Sequence, residues 1–269
     1  MTCKLSYVHI VTVGASLAIN YEKSRSNRQV PPSKIEEKLS QMHEAERNQY
    51  SKDLVKYINE KESRGELTEA SAELNALSRY MNEISLTYLI HTDTNIGRCC
   101  AKAIKEYLTG KGIQVAEPIE VKDLHSPETF QRGLANLIRE VSEILTHYKK
   151  IRICATGGYK PEVAMTSVLG FIARVPVYYI HESFKEEIHL PALPIDWKYE
   201  IKRYGKAINT LITTGEKGID KNEFIEKYGR ETYQELKNNW LIEEKENRCV
   251  ATEISSCLLY TSPSPRDRG

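Results

Sequence analysis

The chain has no C-x-x-C pair, no long apolar run and almost no net charge, and each absence closes off a class of protein. Its six cysteines are scattered, with Cys99 and Cys100 adjacent, an arrangement that suits neither a zinc site nor a disulfide framework. No His, Asp and Glu cluster has metal-ligand spacing, so neither a metal nor a cofactor is expected. No apolar run approaches the ~20 residues that cross a bilayer. The first one, Tyr7 to Val13, reads as a strand and not as a signal peptide. A net charge of +1, from 38 Lys and Arg against 37 Asp and Glu, disfavours a basic nucleic-acid coat and leaves only a local basic pocket open. What is present is ordinary for a soluble globular protein: 40% hydrophobic and 28% charged residues over 269 positions, room for one large domain or two modest ones. The plain reading is a reduced, cytoplasmic protein with no membrane partner.

Strand and helix patterns alternate along the first two thirds. Tyr7 to Val13, Leu86 to Ile90, Ile113 to Val115 with Ile119 to Val121, Ile151 to Ala155 and Val175 to Ile180 read as strands. Gly97 to Leu108, Pro127 to Tyr148 and Pro161 to Arg174 read as helices. Such alternation predicts an α/β fold with a doubly wound, mostly parallel, Rossmann-like sheet. Right-handed crossovers then bring the turns after Val13, Ile90 and Ala155 to one sheet edge, where function is expected. The highly charged stretch 33–83 is rich in helix formers and is taken as a helical insertion, broken at Gly65. Ser33 followed by Glu36 fits a capping box after Pro31-Pro32.

Pro191 to Pro194 punctuates the chain near 195. Beyond it, 196–256 reads as three short helices (Tyr199 to Leu211, Lys221 to Tyr228, Glu231 to Asn238) and a hairpin across Lys245-Glu246-Asn247, the outline of a winged helix-turn-helix. The presumed recognition helix carries Glu231 and Glu235 beside Lys237, poor electrostatics for DNA, so a dimerisation or packing module is favoured. From Cys257 the texture changes, and 257–269 reads as the in-frame translation of a sequencing-library adapter, which leaves open a further effector domain past Ser256.

The most informative stretch is Ile151 to Glu162. An apolar strand ends in Thr156-Gly157-Gly158, followed by Tyr159, Lys160 and a helical pattern. Two glycines let backbone N–H groups approach a phosphate, and the helix start favours negative charge. A phosphate or nucleotide pocket and a tight turn with a solvated lysine both fit these residues.

Four blocks in order carry a family resemblance: Val11 to Leu17 with Asn20; His91 to Arg98 through Glu120 to Leu124; Ala155 to Glu162; and Val175 to Phe184. Together they resemble the CRISPR-associated Rossmann fold (CARF) family, in its branch of type III ring nucleases, over residues 1–195. The resemblance implies a homodimer that binds a cyclic oligoadenylate, above all the tetra-adenylate, in a two-fold cleft. It implies metal-independent cleavage by the ribose 2′-OH, leaving a 2′,3′-cyclic phosphate and switching off type III CRISPR signalling. Lys160 and Ser16 are then the candidate catalytic residues. Gly14, Ala15, Asn20, Thr92, Asn95, Arg98, Thr156, Gly157, Gly158 and Tyr159 are the candidate ligand contacts. Turn-capping for Ser16 and local structural roles for Asn95 and Arg98 stand beside these assignments. His9 and His181 read as core or edge residues, and His125 is assigned no role. The other expectations are a CARF sensor whose HEPN ribonuclease is missing from this chain, or a ligand-responsive DNA-binding regulator.

Overall fold

The computed structural model describes residues 6–124, 126–180, 186–190, 198–252 and 255. His125, His181, the 191–194 punctuation and the 257–269 tail lie outside the described residues.

Six strands form one sheet: β1 (Tyr7–Thr12), β2 (Ile84–Thr92), β3 (Ile119–Val121), β4 (Ile151–Cys154), β5 (Val177–Ile180) and β6 (Glu187–Leu190). Their spatial order is β3-β2-β1-β4-β5-β6. The first five are parallel, and β6 returns antiparallel to β5. Sequence order reverses between β1 and β4, which makes that junction the topological switch point. Ile113 to Val115 does not extend a strand; it contributes a single bridge, Val115 to Thr87.

Successive residues of β1 face opposite sides, as the pleat requires. Val8 and Ile10 join Ile151, Ile153 and Val177 in a core under α6 (Phe130–His147) and α7 (Lys160–Ala173). Val11 and Val13 join Leu89, Cys154 and Tyr178 in the core on the other face. That second face is covered by α1 (Ser16–Ser26), α2 (Pro32–Ser40), α3 (Glu44–Ser63), α4 (Ala72–Leu77) and α5 (Asn95–Gly110). The charged 33–83 segment is thus part of a layer. Ile35, Leu39, Leu54, Ile58, Leu74 and Leu77 within it are all at most 1% exposed, and at ~25 cal/mol per Å² of apolar area such burial makes the segment integral to the fold.

Two local expectations are corrected. Helix α2 opens at Pro32, with an extended Pro31 at its N-cap and no side-chain cap bond. Proline is preset for a first helical position, so Ser33 lies inside the helix and Glu36 is free to reach elsewhere. Helix α6 starts at Phe130, three residues after Pro127. The intervening residues close a turn, with Thr129 N–H donating to Ser126 O at 3.2 Å and Pro127 at the turn position its fixed φ suits.

The C-terminal part has its own core. Helices α8 (Lys198–Thr214), α9 (Lys221–Tyr228) and α10 (Arg230–Asn238) accompany a sheet of order β7-β9-β8, from Ile219–Asp220, Arg248–Ala251 and Ile242–Lys245. Tyr204, Leu211, Phe224, Leu236 and Cys249 pack at its centre. Glu246 and Asn247, at φ 48° and 64°, make the two-residue turn that matches strand twist. Lys237 does not project freely from α10: it lies 3.2 Å from Glu244 Oε2 and donates to Tyr233 Oη at 3.2 Å.

Candidate functional site

The turns after β1, β2 and β4 lie on the carboxyl edge of the sheet, as the alternation predicts. At the switch point the β1 and β4 turns touch. A Cβ on Gly14 would stand 2.6 Å from Gly158 N, and one on Gly158, at φ +120°, would stand 2.9 Å from Thr12 Cβ. Real side chains do not pack that closely, so both glycines are required for one turn to rest on the other. The Thr12 hydroxyl donates to Gly157 O and fastens the contact.

The next residue in this arrangement comes from α4. The Glu73 carboxylate is completely buried. Gly14 N–H donates to its Oε1 and the Ser16 hydroxyl to its Oε2, both at 2.8 Å. A Cβ on Gly157 would stand 1.9 Å from Oε1, so the absent side chain of Gly157 is the space the carboxylate fills. Ser16 opens α1, and its oxygen also accepts from Ala72 N–H at 3.0 Å. Ala15, at the N-cap of α1, makes no side-chain cap bond. Asn20, one turn further on, donates through Nδ2 to Glu69 O and Ala70 O at 3.1 and 3.2 Å. The first loop is therefore bound up with the segment that carries α4.

The β2 turn repeats the pattern. Glu36, from α2, accepts from Asn95 N–H and Asn95 Nδ2 through Oε1 at 3.0 and 2.9 Å, and from Ile96 N–H through Oε2 at 2.8 Å. A carboxylate on the first N–H groups of a helix satisfies orphan donors and the helix dipole together. Thr92 and Thr94 hydroxyls are 3.1 Å apart, and Thr94 Oγ1 caps α5 at Gly97 N–H, 3.1 Å. Arg98 pairs with Glu120. Thr156 accepts from Ile180 N–H at 3.1 Å, a bond inside the fold.

Lys160 differs from all of these. It is exposed at the first position of α7, and among the described residues its ammonium makes no hydrogen bond or ion pair. A cation at a helix start opposes the macrodipole, so folding alone gives no reason for a lysine there. Tyr159 beside it is 45% exposed. Glu162, in the same first turn, is fully buried; its Oε2 accepts from Tyr159 N–H at 3.3 Å. Burial pushes its carboxyl up to about 8, with the Glu73 charge adding to the effect.

The structure brings Gly14, Ser16, Gly157 and Gly158 together, and holds Asn95, Thr92 and Arg98 at the neighbouring turn. Glu36, Glu73 and Glu162 are the site residues that pattern reading missed. Glu36 was read only as the partner of Ser33 in a capping box, and Glu162, the single carboxylate of α7, only as the end of the Ala155 to Glu162 block. Glu73 left a faint signal, a lone carboxylate in the small, apolar run Ala70-Ser71-Ala72-Glu73-Leu74. His9 is buried, with Nδ1 2.8 Å from Tyr178 Oη; burial and Arg152 lower its value to about 3, and it takes no place at this edge. Among the described residues no group of three or more His, Cys, Asp or Glu could hold a metal ion, and no helix is long and apolar enough to cross a membrane.

Residues 68–193 match the family model described as CRISPR-associated protein (Cas_APE2256). The matched stretch includes Glu73, the β2 turn, the Gly157-Gly158 turn and Lys160. No curated protein sequence matches the chain. Among solved structures, Can2 from Sulfobacillus thermosulfidooxidans in complex with cyclic tetra-adenylate (cA4) matches at 11% identity and a TM-score of 0.32, over 94% of this chain and 63% of that one. The chain spans less than two thirds of that structure's length.

Proposed function

We propose that two copies of the chain bind a cyclic oligoadenylate across the turns after β1, β2 and β4, and cleave it without a metal. The observation that carries this reading is Lys160: an exposed ammonium at a helix start, one residue beyond the Gly157-Gly158 turn at the switch point, where it opposes the dipole and is free to neutralise a phosphate. The four ordered motifs and the CRISPR-associated family match support the choice of ligand. A two-fold symmetric ring on a two-fold dimer uses each turn twice, and cyclic tetra-adenylate is the ring proposed.

In the reaction a ribose 2′-oxygen attacks the adjacent phosphorus in line, and the bond to the 5′-oxygen breaks. The 2′ proton leaves, the 5′-oxygen takes one up, and the products carry a 2′,3′-cyclic phosphate and a 5′-OH. Positioning and charge stabilisation are what such a step asks of the protein. Lys160 neutralises charge growing on the non-bridging oxygens. Ser16 holds the scissile phosphate, and Asn20, Asn95 and Arg98 hold ribose or base edges. Cleavage removes the messenger and so switches type III signalling off.

The test is single-turnover incubation of the full chain with labelled cyclic tetra-adenylate in EDTA, beside Lys160→Ala. Linear product from the wild type and none from the variant is the expected result. An intact ring held tightly by both proteins would replace the enzyme with a sensor. No binding by either would overturn the ligand itself. The DNA-reader alternative gains no support, since Lys237 on α10 is already engaged by Glu244 and Tyr233.

A further inference from the structure

Ser16, which the proposed function places on the scissile phosphate, and Gly14, the candidate ligand contact beside it, are already donating to an anion. Gly14 N–H and the Ser16 hydroxyl both point at the Glu73 carboxylate, at 2.8 Å each. The carboxylate lies against Gly157, where no side chain fits beside it. It is fully buried and comes from α4, a helix of six residues capped by Ser71 Oγ, which accepts from Leu74 N–H at 3.1 Å. A carboxylate and a phosphate make the same demand on such donors, namely oxygen acceptors carrying negative charge.

We propose that Glu73 is a built-in occupant of the phosphate subsite formed by Gly14 N–H, Ser16 Oγ and the Gly157 backbone, and that it sets the affinity of that subsite. A ligand phosphate and the Glu73 carboxylate are alternatives there. Two anions cannot share one pair of donors, and each repels the other in a site with little water. Engagement of the scissile phosphate by Ser16 therefore requires the carboxylate to turn away from Gly14 N–H and Ser16 Oγ. The subsite selects ligands that supply enough contacts elsewhere, as a ring with several phosphates does and a lone phosphate does not. This inference rests on the reading of the pocket as an oligoadenylate site.

Calorimetric titration of cyclic tetra-adenylate into the full-length wild type, Glu73→Gln and Glu73→Ala tests it. Glu37→Gln, which removes an exposed carboxylate of the same segment, controls for bulk charge. The expected result is a Kd at least about tenfold lower in both Glu73 variants, with the control within about twofold of wild type. Equal or weaker binding in the Glu73 variants, or the same tightening in the control, overturns the inference and leaves the proposed function standing. No binding by any of the four proteins overturns both. Glu73→Gln keeps the side chain's shape should the alanine variant fail to fold.

Discussion

Replacing Gly157 by alanine measures how firmly Glu73 holds its place. The added Cβ would lie 1.9 Å from Oε1 and 2.4 Å from Cδ of Glu73, distances that no relaxation of a few tenths of an ångström relieves. The end of a glutamate is flexible, but this one can retreat only by leaving Gly14 N–H and Ser16 Oγ. Hydrogen bonds to a charged group contribute about 1.5–3 kcal/mol each, and the orphaned Gly14 N–H is itself costly. Gly157→Ala is therefore expected to destabilise by about 3 kcal/mol, roughly 6–12 °C in Tm at about 2–4 °C per kcal/mol. In a Glu73→Ala background the obstruction is gone, and the same substitution should cost about 1 kcal/mol or less. The coupling in the double-mutant cycle, about 2 kcal/mol, is the quantity to read, from thermal and urea melts of the four proteins. Additive effects would show that Glu73 does not fill the Gly157 space and is not held by Gly14 and Ser16.

Lys160→Ala should abolish cleavage yet leave the melting temperature unchanged or slightly raised, because a cation at a helix start costs about 0.3–1 kcal/mol when exposed; a marked fall in Tm would make Lys160 structural. Glu36→Ala removes three hydrogen bonds at the start of α5 and should destabilise by about 1–2 kcal/mol in urea titrations, with Glu36→Gln losing less. Glu162, at about 8 against an ordinary 4.5, keeps a proton in the folded state that the unfolded chain has lost. Stability therefore falls as pH rises from about 4.5 to 8, and Glu162→Gln should remove that slope in melts taken across the range. His9, at about 3 against 6.5, acts oppositely: the unfolded chain takes up the proton first, so stability falls as pH drops from 6.5 towards 3. His9→Gln should flatten that acid limb.

The sheet was legible because periodicity and turn chemistry agree there. Val8 to Val13 and Ile151 to Ala155 are apolar runs too short for helices, and each ends in a glycine turn, so their place in a doubly wound sheet follows from local pattern alone. The helix starts were less legible. Pro32 and Pro127 both precede helical patterns, yet one opens its helix and the other closes a turn ahead of it. What decides between them is the backbone partner available to each, which is not written in the neighbouring residues. The Gly157-Gly158 turn and Lys160 were singled out by residue type and position, and Gly14 and Ser16 through the family resemblance; the structure brings Gly14, Ser16, Gly157 and Gly158 together.

Where the carboxylates of Glu36, Glu73 and Glu162 end was not readable, although Glu36 and Glu162 themselves stood in view. Pattern reading looks for groups that a ligand lacks, donors and cations, and it found those. It does not look for carboxylates that satisfy such donors from within the chain, and in the charged segment 33–83 each of these is one among many. Of the carboxylates in 33–83, Glu36 and Glu73 end on backbone N–H groups at the sheet's carboxyl edge, and only the crossover of α2 and α4 over that edge selects them. Their engagement also serves the layer itself. Helix starts and glycine turns expose donors that must be satisfied in the absence of ligand, and a tethered carboxylate does so without water. If a ligand phosphate enters there, as proposed, it has to displace this tether, so the contacts that stabilise the fold would also limit which anions enter.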